Sequence, residues 1–486
     1  MQPRDYSYRE FRDYARDFDQ VELLQGIAHA ALALPDSPGD PGYIRTAPWA
    51  LAALAKASIC HGNRWRTKQV RPDDIPIGCH MYNNLEPEEL ADPALNSLFN
   101  ITVRTAYEQF PYQESVYEEL ARTEAFFGGY SGRKQLNVLD EAGVTTLLGA
   151  PVRQAVGVAM LLHASAELNA GFFDPAWLDQ PNFADVLAVV PRDHVEGVID
   201  AVFATDFEGF KQLAEMAQDL PSLDRYRFNP LTARPLLRLH DGRLLAPVPQ
   251  LISRKLSPTE LYYRGLDLWD TPFTTELGEL LEDYIGRQLS TLPDATVHSE
   301  IEYRDGKNRV KSIDWIVVFE DLVLLVENKA TRLIAPARAG DANAQAVFTT
   351  TLAKAFEQID RTHLAVRNGV KEFADAGIPT DRPFLGVVAT LDPWYMANGT
   401  AARSFLPRPQ VATLVASMRE IESLVAIGQR FPAAEVLQHI AGDAEMQTWM
   451  LGSSLHTFAE PDDENPILEA ARGQYPFGDH QEEQEK

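Results

Sequence analysis

From about residue 10 to 225, apolar residues recur at three- and four-residue spacing, as in VELLQGIAHAALAL, PWALAALAKAS, APVRQAVGVAMLLHASAEL and FADVLAVVPRDHVEGVIDAVFA. That period predicts helices with one buried face, ending where prolines and glycines interrupt it. The texture changes near 226. There RPLLRLHDGRLLAPVPQL alternates around Asp241-Gly242, which predicts a β-hairpin within a connector running to 268. Beyond it the order reads helix (TPFTTELGELLEDYIGRQLSTL), strand (TVHSEIEYR), strand (311 to 319), strand (322 to 329), helix (ANAQAVFTTTLAKAFEQIDRTHLAVRNGV) and strand (PFLGVVATL). A short strand (PQVATLV) and a helix (SMREIESLVAIGQ) follow. The fold class this predicts is an α/β domain over 269 to 425, with a mixed central sheet flanked by helices, behind a mainly α-helical region over 1 to 225. Residues 426 to 486 are expected to hold a C-terminal helix and an acidic tail, disordered from 460 onward for want of apolar anchors.

The pair of strands in SIDWIVVFEDLVLLVENKA, 312 to 330, carries charge where apolar residues are expected. If the turn is symmetric about Glu320-Asp321, Phe319 faces Leu322 and Asp314 faces Glu327, with Cβ atoms roughly 4.5 to 5.5 Å apart. Alternation puts Ile313, Trp315, Val317 and Phe319 with Leu322, Leu324, Val326 and Asn328 on one face, read as core. The other face carries Ser312, Asp314, Ile316 and Val318 with Val323, Leu325, Glu327 and Lys329, apolar near the turn and charged at the far end. Two facing carboxylates repel unless something compensates them, and a divalent cation is the usual compensation. Asp314 and Glu327, with the backbone carbonyl of Asn328, offer the hard oxygen donors that suit Mg²⁺, with Mn²⁺ as the second choice. Lys329, roughly 6.7 Å further along the same face, can orient or help deprotonate a water, or steady charge on a phosphate. Such a set suits metal-assisted hydrolysis of a phosphodiester. The plain alternative is an ion pair at a frayed hairpin end. Asp305-Gly306-Lys307 shows how cheaply the acid-x-lysine pattern arises, since it stands in a polar turn with no opposed acid.

Composition narrows the setting. A chain of 486 residues, 45% hydrophobic and 23% charged, is globular and long enough for two or three domains. The N-terminus lacks the apolar core of a signal peptide, and no apolar run approaches the roughly 20 residues of a bilayer span, so a soluble, cytoplasmic protein is expected. Two cysteines make no disulfide framework and suit a reducing compartment. The net charge of -26 requires any contact with nucleic acid to be local. One basic stretch with an aromatic, Arg64, Arg66, Lys68 and Arg71 around Trp65, reads as a nucleic-acid contact or as a solvated loop. Cys60-His61 and Cys79-His80 have the inventory of a zinc site, but adjacent ligands seldom reach one tetrahedral ion, and buried cysteines beside ordinary histidines are the simpler account. Neither a P-loop nor an H-E-x-x-H pattern occurs.

The order helix-strand-strand-strand-helix-strand, with Asp314 on the second strand and Glu327-Asn328-Lys329 closing the third, resembles the PD-(D/E)xK nuclease superfamily, the restriction-endonuclease-like fold, over roughly 270 to 420. Within ELGELLEDYIGRQL, Glu282 resembles the leading-helix glutamate that points at the metal in that family, with Glu279 as the alternative. Gln358, in LAKAFEQIDRTHL, resembles the glutamine on the following helix of RecB-like members. One departure is that Ile313-Asp314 stands where the family pattern has Pro-Asp. The resemblance implies a Mg²⁺-dependent nuclease acting on nucleic acid, DNA before RNA, in phage defence or DNA repair. Asp314, Glu327, Asn328 and Glu282 would hold the metal, Lys329 would serve the attacking water and Gln358 would organise the site, with Lys311 and Lys354 meeting flanking phosphates. It leaves open a protein partner recognised by the helical half, a homo-oligomer, an inactive nuclease-like binding module, and a helical adaptor carrying a nuclease effector.

Overall fold

The computed structural model describes residues 4–35, 40–63, 65–86, 97–113, 116–216, 224–333, 335–340 and 344–477. Arg64 and the last nine residues of the acidic tail lie outside the described residues.

A small sheet comes first along the chain, built from β1 (Phe172–Phe173), β2 (Ala204–Thr205), β3 (Leu236–Arg238) and β4 (Leu244–Leu245) in the order β1-β4-β3-β2. The hairpin β3-β4 turns where the sequence places it, with Gly242 at φ +89° supplying the left-handed residue. Rather than an isolated connector, it is the middle of this sheet, pairing with β1 on one side and β2 on the other.

The main sheet has five strands, β5 (Thr296–Ser299), β8 (Trp315–Val318), β9 (Val323–Lys329), β10 (Phe384–Thr390) and β11 (Thr413–Ser417), in the order β11-β10-β9-β8-β5. Pairs β5/β8 and β8/β9 are antiparallel and β9/β10 and β10/β11 parallel, so the C-terminal half is a mixed α/β unit. The single strand expected from TVHSEIEYR divides. Its second half leaves the sheet as β6 (Glu302–Asp305), which pairs only with β7 (Asn308–Lys311) around Gly306.

Both faces of the β8/β9 hairpin are buried, as the near-continuous apolar run of β9 requires. Helix Thr271–Ser290 covers one face with Leu277, Leu280, Leu281 and Ile285 against Val317, Leu324 and Val326. Helix Ala344–Arg367 covers the other with Phe348, Leu352, Phe356 and Ile359 against Ile316, Val323 and Leu325. Ile313 departs from the expected alternation. It precedes the strand, joins the Ala344–Arg367 side, and donates its amide to Thr362 Oγ1 at 3.1 Å.

Gly286 sets how closely Thr271–Ser290 approaches β8, because a methyl there would meet Trp315 Cζ2 at 2.1 Å. In an open helix Gly→Ala gains up to about 1 kcal/mol. Here Gly286→Ala is expected to lose about 1 to 3 kcal/mol by overpacking, read as a lower urea midpoint. A stability equal to or above wild type would show that the Trp315 ring gives way freely.

The apolar cores do not part at residue 225. One core joins Phe126, Val156, Leu162 and Phe203 of the helical half to the Thr271–Ser290 face of the main sheet. A second is built mostly from residues 6 to 85 with Phe210, Leu237 and Leu245. Helix Leu98–Gln109 reaches the third, where Phe99 meets Phe348 with ring centroids 5.1 Å apart. The segment expected to be disordered from 460 is in part folded. Helix Pro466–Arg472 buries Leu468 and Ala471, and Asn465 caps it. Among the described residues, Glu141–Leu168 alone has the length of a membrane span with an 18-residue window of sufficient mean hydropathy (1.3), and half of that window is buried. Gly149 and Pro151 divide it into two helices of the largest core.

Candidate active site

β8 and β9 pair in the register the sequence predicts, Val318↔Val323 through Trp315↔Val326. One step further, the ladder is closed by a side chain. Asp314 Oδ2 accepts the backbone amide of Asn328 at 2.7 Å, so Asn328 contributes its peptide N–H here. Beyond the last apolar pair, Glu327 is 3% exposed and Lys329 Nζ donates to its Oε1 at 2.6 Å. The same Nζ donates to Gln358 Oε1 at 3.1 Å, from the helix Ala344–Arg367. Glu327 Oε2 is buried without a hydrogen-bond partner. A buried carboxylate oxygen left so is costly, and such a group is either neutralised or waiting for a cation.

Helix Thr271–Ser290 brings the third carboxylate. Trp315 Nε1 donates to the carbonyl of Glu282 at 3.0 Å, fixing that turn of helix against β8. Burial and then the charge of Asp314 push the Glu282 carboxyl up to about 7. Glu327 is likewise pushed up to about 7, by burial and then by Asp314, with Lys329 opposing. Asp314 is raised chiefly by burial, against the hydrogen bond from Asn328. Glu279, the alternative to Glu282, is ion-paired with Lys134 at 2.6 Å.

Two neighbours were not found from the sequence. Glu300 follows β5, and continuing the register one step past Ser299↔Trp315 sets it beside Asp314, whose carboxyl its charge helps to raise. Lys311 Nζ pairs with Glu300 Oε1 at 2.7 Å, so this expected phosphate contact is engaged by an acid. Lys134, from the helical half, holds Glu279 and lies in the field of Glu282. Glu300 could have been found only by knowing where TVHSEIEYR leaves the sheet. Lys134 has no local signal at all. Lys354 is exposed one helical turn before Gln358, on the same side of its helix.

The remaining candidates lie elsewhere. Lys68 Nζ sits 3.9 Å from the Phe18 ring centroid and Arg66 Nη2 is 3.9 Å from Asp17 Oδ1, so their partners lie in the turn between helices Tyr8–Ala15 and Gln20–Leu32. Cys60 and His61 end helix Pro48–His61, while Cys79 and His80 stand within Asp74–Asn83. Burial pushes the Cys79 thiol up to about 12 and His61 down to about 4. Among the described residues no three His, Cys, Asp or Glu side chains converge to hold a metal ion. At the Asp314 site this follows from what the side chains do as they stand, since Glu327 faces Lys329 and Asp314 faces a peptide N–H. In chemical kind the donors still fit: carboxylates that act on one another's charge, one oxygen of Glu327 without a partner, suit a hard divalent cation.

The raised carboxyls carry a pH signature. Unfolded glutamates titrate near about 4.3, so between there and about 7 the folded chain binds more protons than the unfolded one. Stability from Glu327 and Glu282 is therefore fully present below the unfolded value and is lost as pH rises through about 7. Glu327→Gln removes one such group and is expected to flatten the fall in unfolding free energy between about pH 5 and 8. A fall as steep as that of wild type would show that Glu327 titrates normally.

No protein-family model matches the chain, and no curated protein sequence matches it.

Proposed function

We propose that the chain is a divalent-metal-dependent nuclease that hydrolyses phosphodiester bonds, on a restriction-endonuclease-like unit within residues 269 to 425. One observation carries this reading: Asp314, Glu327 and Lys329 meet at the ends of adjacent strands, with Gln358 on the lysine and Glu282 in the field of the acids. Asp314 and Glu327 would hold Mg²⁺ or Mn²⁺, with Glu282 supporting it. Bound there, the cation would polarise the phosphate and lower the pKa of a water.

The chain's own groups account for the rest. Gln358 holds the Lys329 ammonium beside Glu327, and so beside where a water would approach. From there Lys329 can orient that water and steady the charge gathering on the phosphate oxygens. Lys354, exposed on the same helix, is placed to meet a flanking phosphate. With net charge -26, the chain would engage nucleic acid only through such local cations.

The competing reading, a nuclease-like module that binds without cutting, is favoured by the pairing of Lys329 with Glu327. A cleavage assay with Mg²⁺ or Mn²⁺ on plasmid, single-stranded DNA and RNA separates the two. Product that forms only with the metal supports the nuclease. Binding of the same substrates with no product under either metal supports the module.

A further inference from the structure

A cavity of about 760 Å³ lies between the N-terminal helices, the stretch from 225 to 268 and the segment leaving β9. None of Asp314, Glu327, Lys329 or Gln358 lines it. Its volume falls within the roughly 300 to 1,000 Å³ of small-molecule sites. Met216 and Leu268, 82% and 41% exposed, stand at its open side.

The lining has an unusual charge for so acidic a chain: ten lysines and arginines face three acids. Several of these cations are held by backbone carbonyls, which fix a charge in place without neutralising it. Lys56 Nζ donates to Arg227 O at 2.8 Å, Lys255 Nζ to Glu260 O at 2.7 Å, Arg264 Nε to Leu147 O at 2.7 Å and Arg234 Nη1 to Asp200 O at 2.9 Å. Arg332 is 4% exposed; its Nη2 reaches Glu260 at 3.0 Å and its Nε lies 3.5 Å from Asp392 Oδ2, while its Nη1 has no hydrogen-bond partner. Burial presses Lys255 down to about 7; the charge of Glu260 opposes the shift, and the positive field of Arg234, Arg332 and Arg264 adds to it. Lys255, Arg234, Arg264 and Arg332 thus share a positive field that an anion would relieve.

Aromatic rings supply the second half of the chemistry. The Arg332 guanidinium lies 5.1 Å from the Tyr263 ring centroid, and Arg225 lies 5.4 Å from that of Tyr226. Both tyrosines line the cavity. Each pair sets a guanidinium against an aromatic ring, the kind of surface on which a planar heterocycle can stack.

We propose that this cavity binds a phosphorylated nucleoside, its phosphate among Lys255, Arg264 and Arg332 and its base against the tyrosines. The ligand is either a free nucleotide or the phosphorylated end of a nucleic-acid chain. Arg332 stands three residues beyond Lys329, so an occupant touches the segment that leaves the candidate catalytic strand. The assignment itself does not rest on nuclease activity.

The test is binding by the full-length chain in EDTA, which stops metal-dependent cleavage. Calorimetry would compare ATP, AMP, adenosine, inorganic phosphate and single-stranded oligonucleotides with a 5′-phosphate or a 5′-hydroxyl. Saturable binding of a phosphorylated probe is expected, weaker by about tenfold or more for its unphosphorylated counterpart, as for the loss of a charged hydrogen bond. Lys255→Met and Arg264→Gln should each weaken it about tenfold while leaving the unliganded melting temperature near that of wild type. Preference for AMP or ATP identifies a free nucleotide, and preference for the 5′-phosphorylated oligonucleotide identifies a chain end. The assignment is overturned if no phosphorylated probe binds saturably, if both variants bind as wild type does, or if inorganic phosphate binds as tightly as any nucleotide.

Discussion

If the chain is the proposed nuclease, Lys329→Ala is expected to lower phosphodiester cleavage about 10²- to 10³-fold, the usual cost of losing one donor aimed at developing charge. The lysine is the only cation recorded in contact with Glu327 among the described residues, at 2.6 Å, and it also bonds Gln358 at 3.1 Å. Removing it does two things. It takes away the group that, on the proposed nuclease reading, would steady the phosphate, and it leaves a carboxyl that is 3% exposed without its counter-charge. The second effect changes stability, so the measurement must separate them. Lys329→Met keeps the aliphatic packing of the stem, and its melting temperature reports whether the fold survives. Gln358→Ala offers a graded control, because it leaves the ammonium and its pairing with Glu327 but frees it to wander. About a tenfold loss or less is expected there, with substrate binding little changed. Equal cleavage by wild type and a folded Lys329→Met would sink the assigned role for this lysine.

How much of this was legible from the sequence depends on how local each feature is. The β8/β9 hairpin is local, with a strict two-residue alternation and a turn between its halves. Its register followed directly, down to Asp314 and Glu327 at the same end. The α/β character of the C-terminal half followed from the switch between two- and 3.6-residue periods. What the pattern could not show was which helix would cover which face. Ile313 was misplaced because it stands before the strand begins, where alternation no longer holds. Glu300 was missed because the chain bends out of the sheet at a point that no turn residue marks.

The apolar core that runs across residue 225 is illegible for the same reason. A change of texture near 226 is a statement about secondary structure, whereas a core is a statement about contacts. Helices on both sides of that point share one core. The cavity cations illustrate the limit further. Lys56, Arg234, Lys255 and Arg332 are scattered over most of the chain, and nothing in the neighbourhood of any one of them announces the others. The candidate catalytic strand is nonetheless joined to that cavity by three residues, so a purely local motif and a purely tertiary site meet at Arg332.

The second large effect is expected from Arg122→Ala, a loss of about 3 to 5 kcal/mol, the range for breaking a buried ion pair by removing one partner. Arg122 is 1% exposed, and its Nε lies 2.8 Å from Glu422 Oε1 and 3.0 Å from Oε2. Its Nη1 reaches Glu119 Oε1 at 2.9 Å, an oxygen shared with Arg419 at 2.7 Å. Tyr284 donates to Glu422 Oε1 at 2.6 Å, and Asn465 donates to the Glu422 carbonyl at 3.0 Å. One arginine thus ties the helical half to the helix over the main sheet, to the helix after β11 and to the C-terminal segment. Alanine would leave the buried Glu422 carboxylate with the Tyr284 phenol and the field of Arg419, and Glu119 with Arg419 and the field of Arg254. The loss should appear as a lower urea midpoint with an unchanged slope, because all four segments share one core and should unfold together. A changed slope or a second transition would mean instead that the helical half comes away by itself. An apolar double variant, Arg122→Met with Glu422→Leu, separates charge from packing, since replacing both partners of a buried pair is often nearly neutral. If that double variant is much more stable than Arg122→Ala, the cost of the single change is the stranded charge; if the two are alike, what Arg122 supplied was its shape.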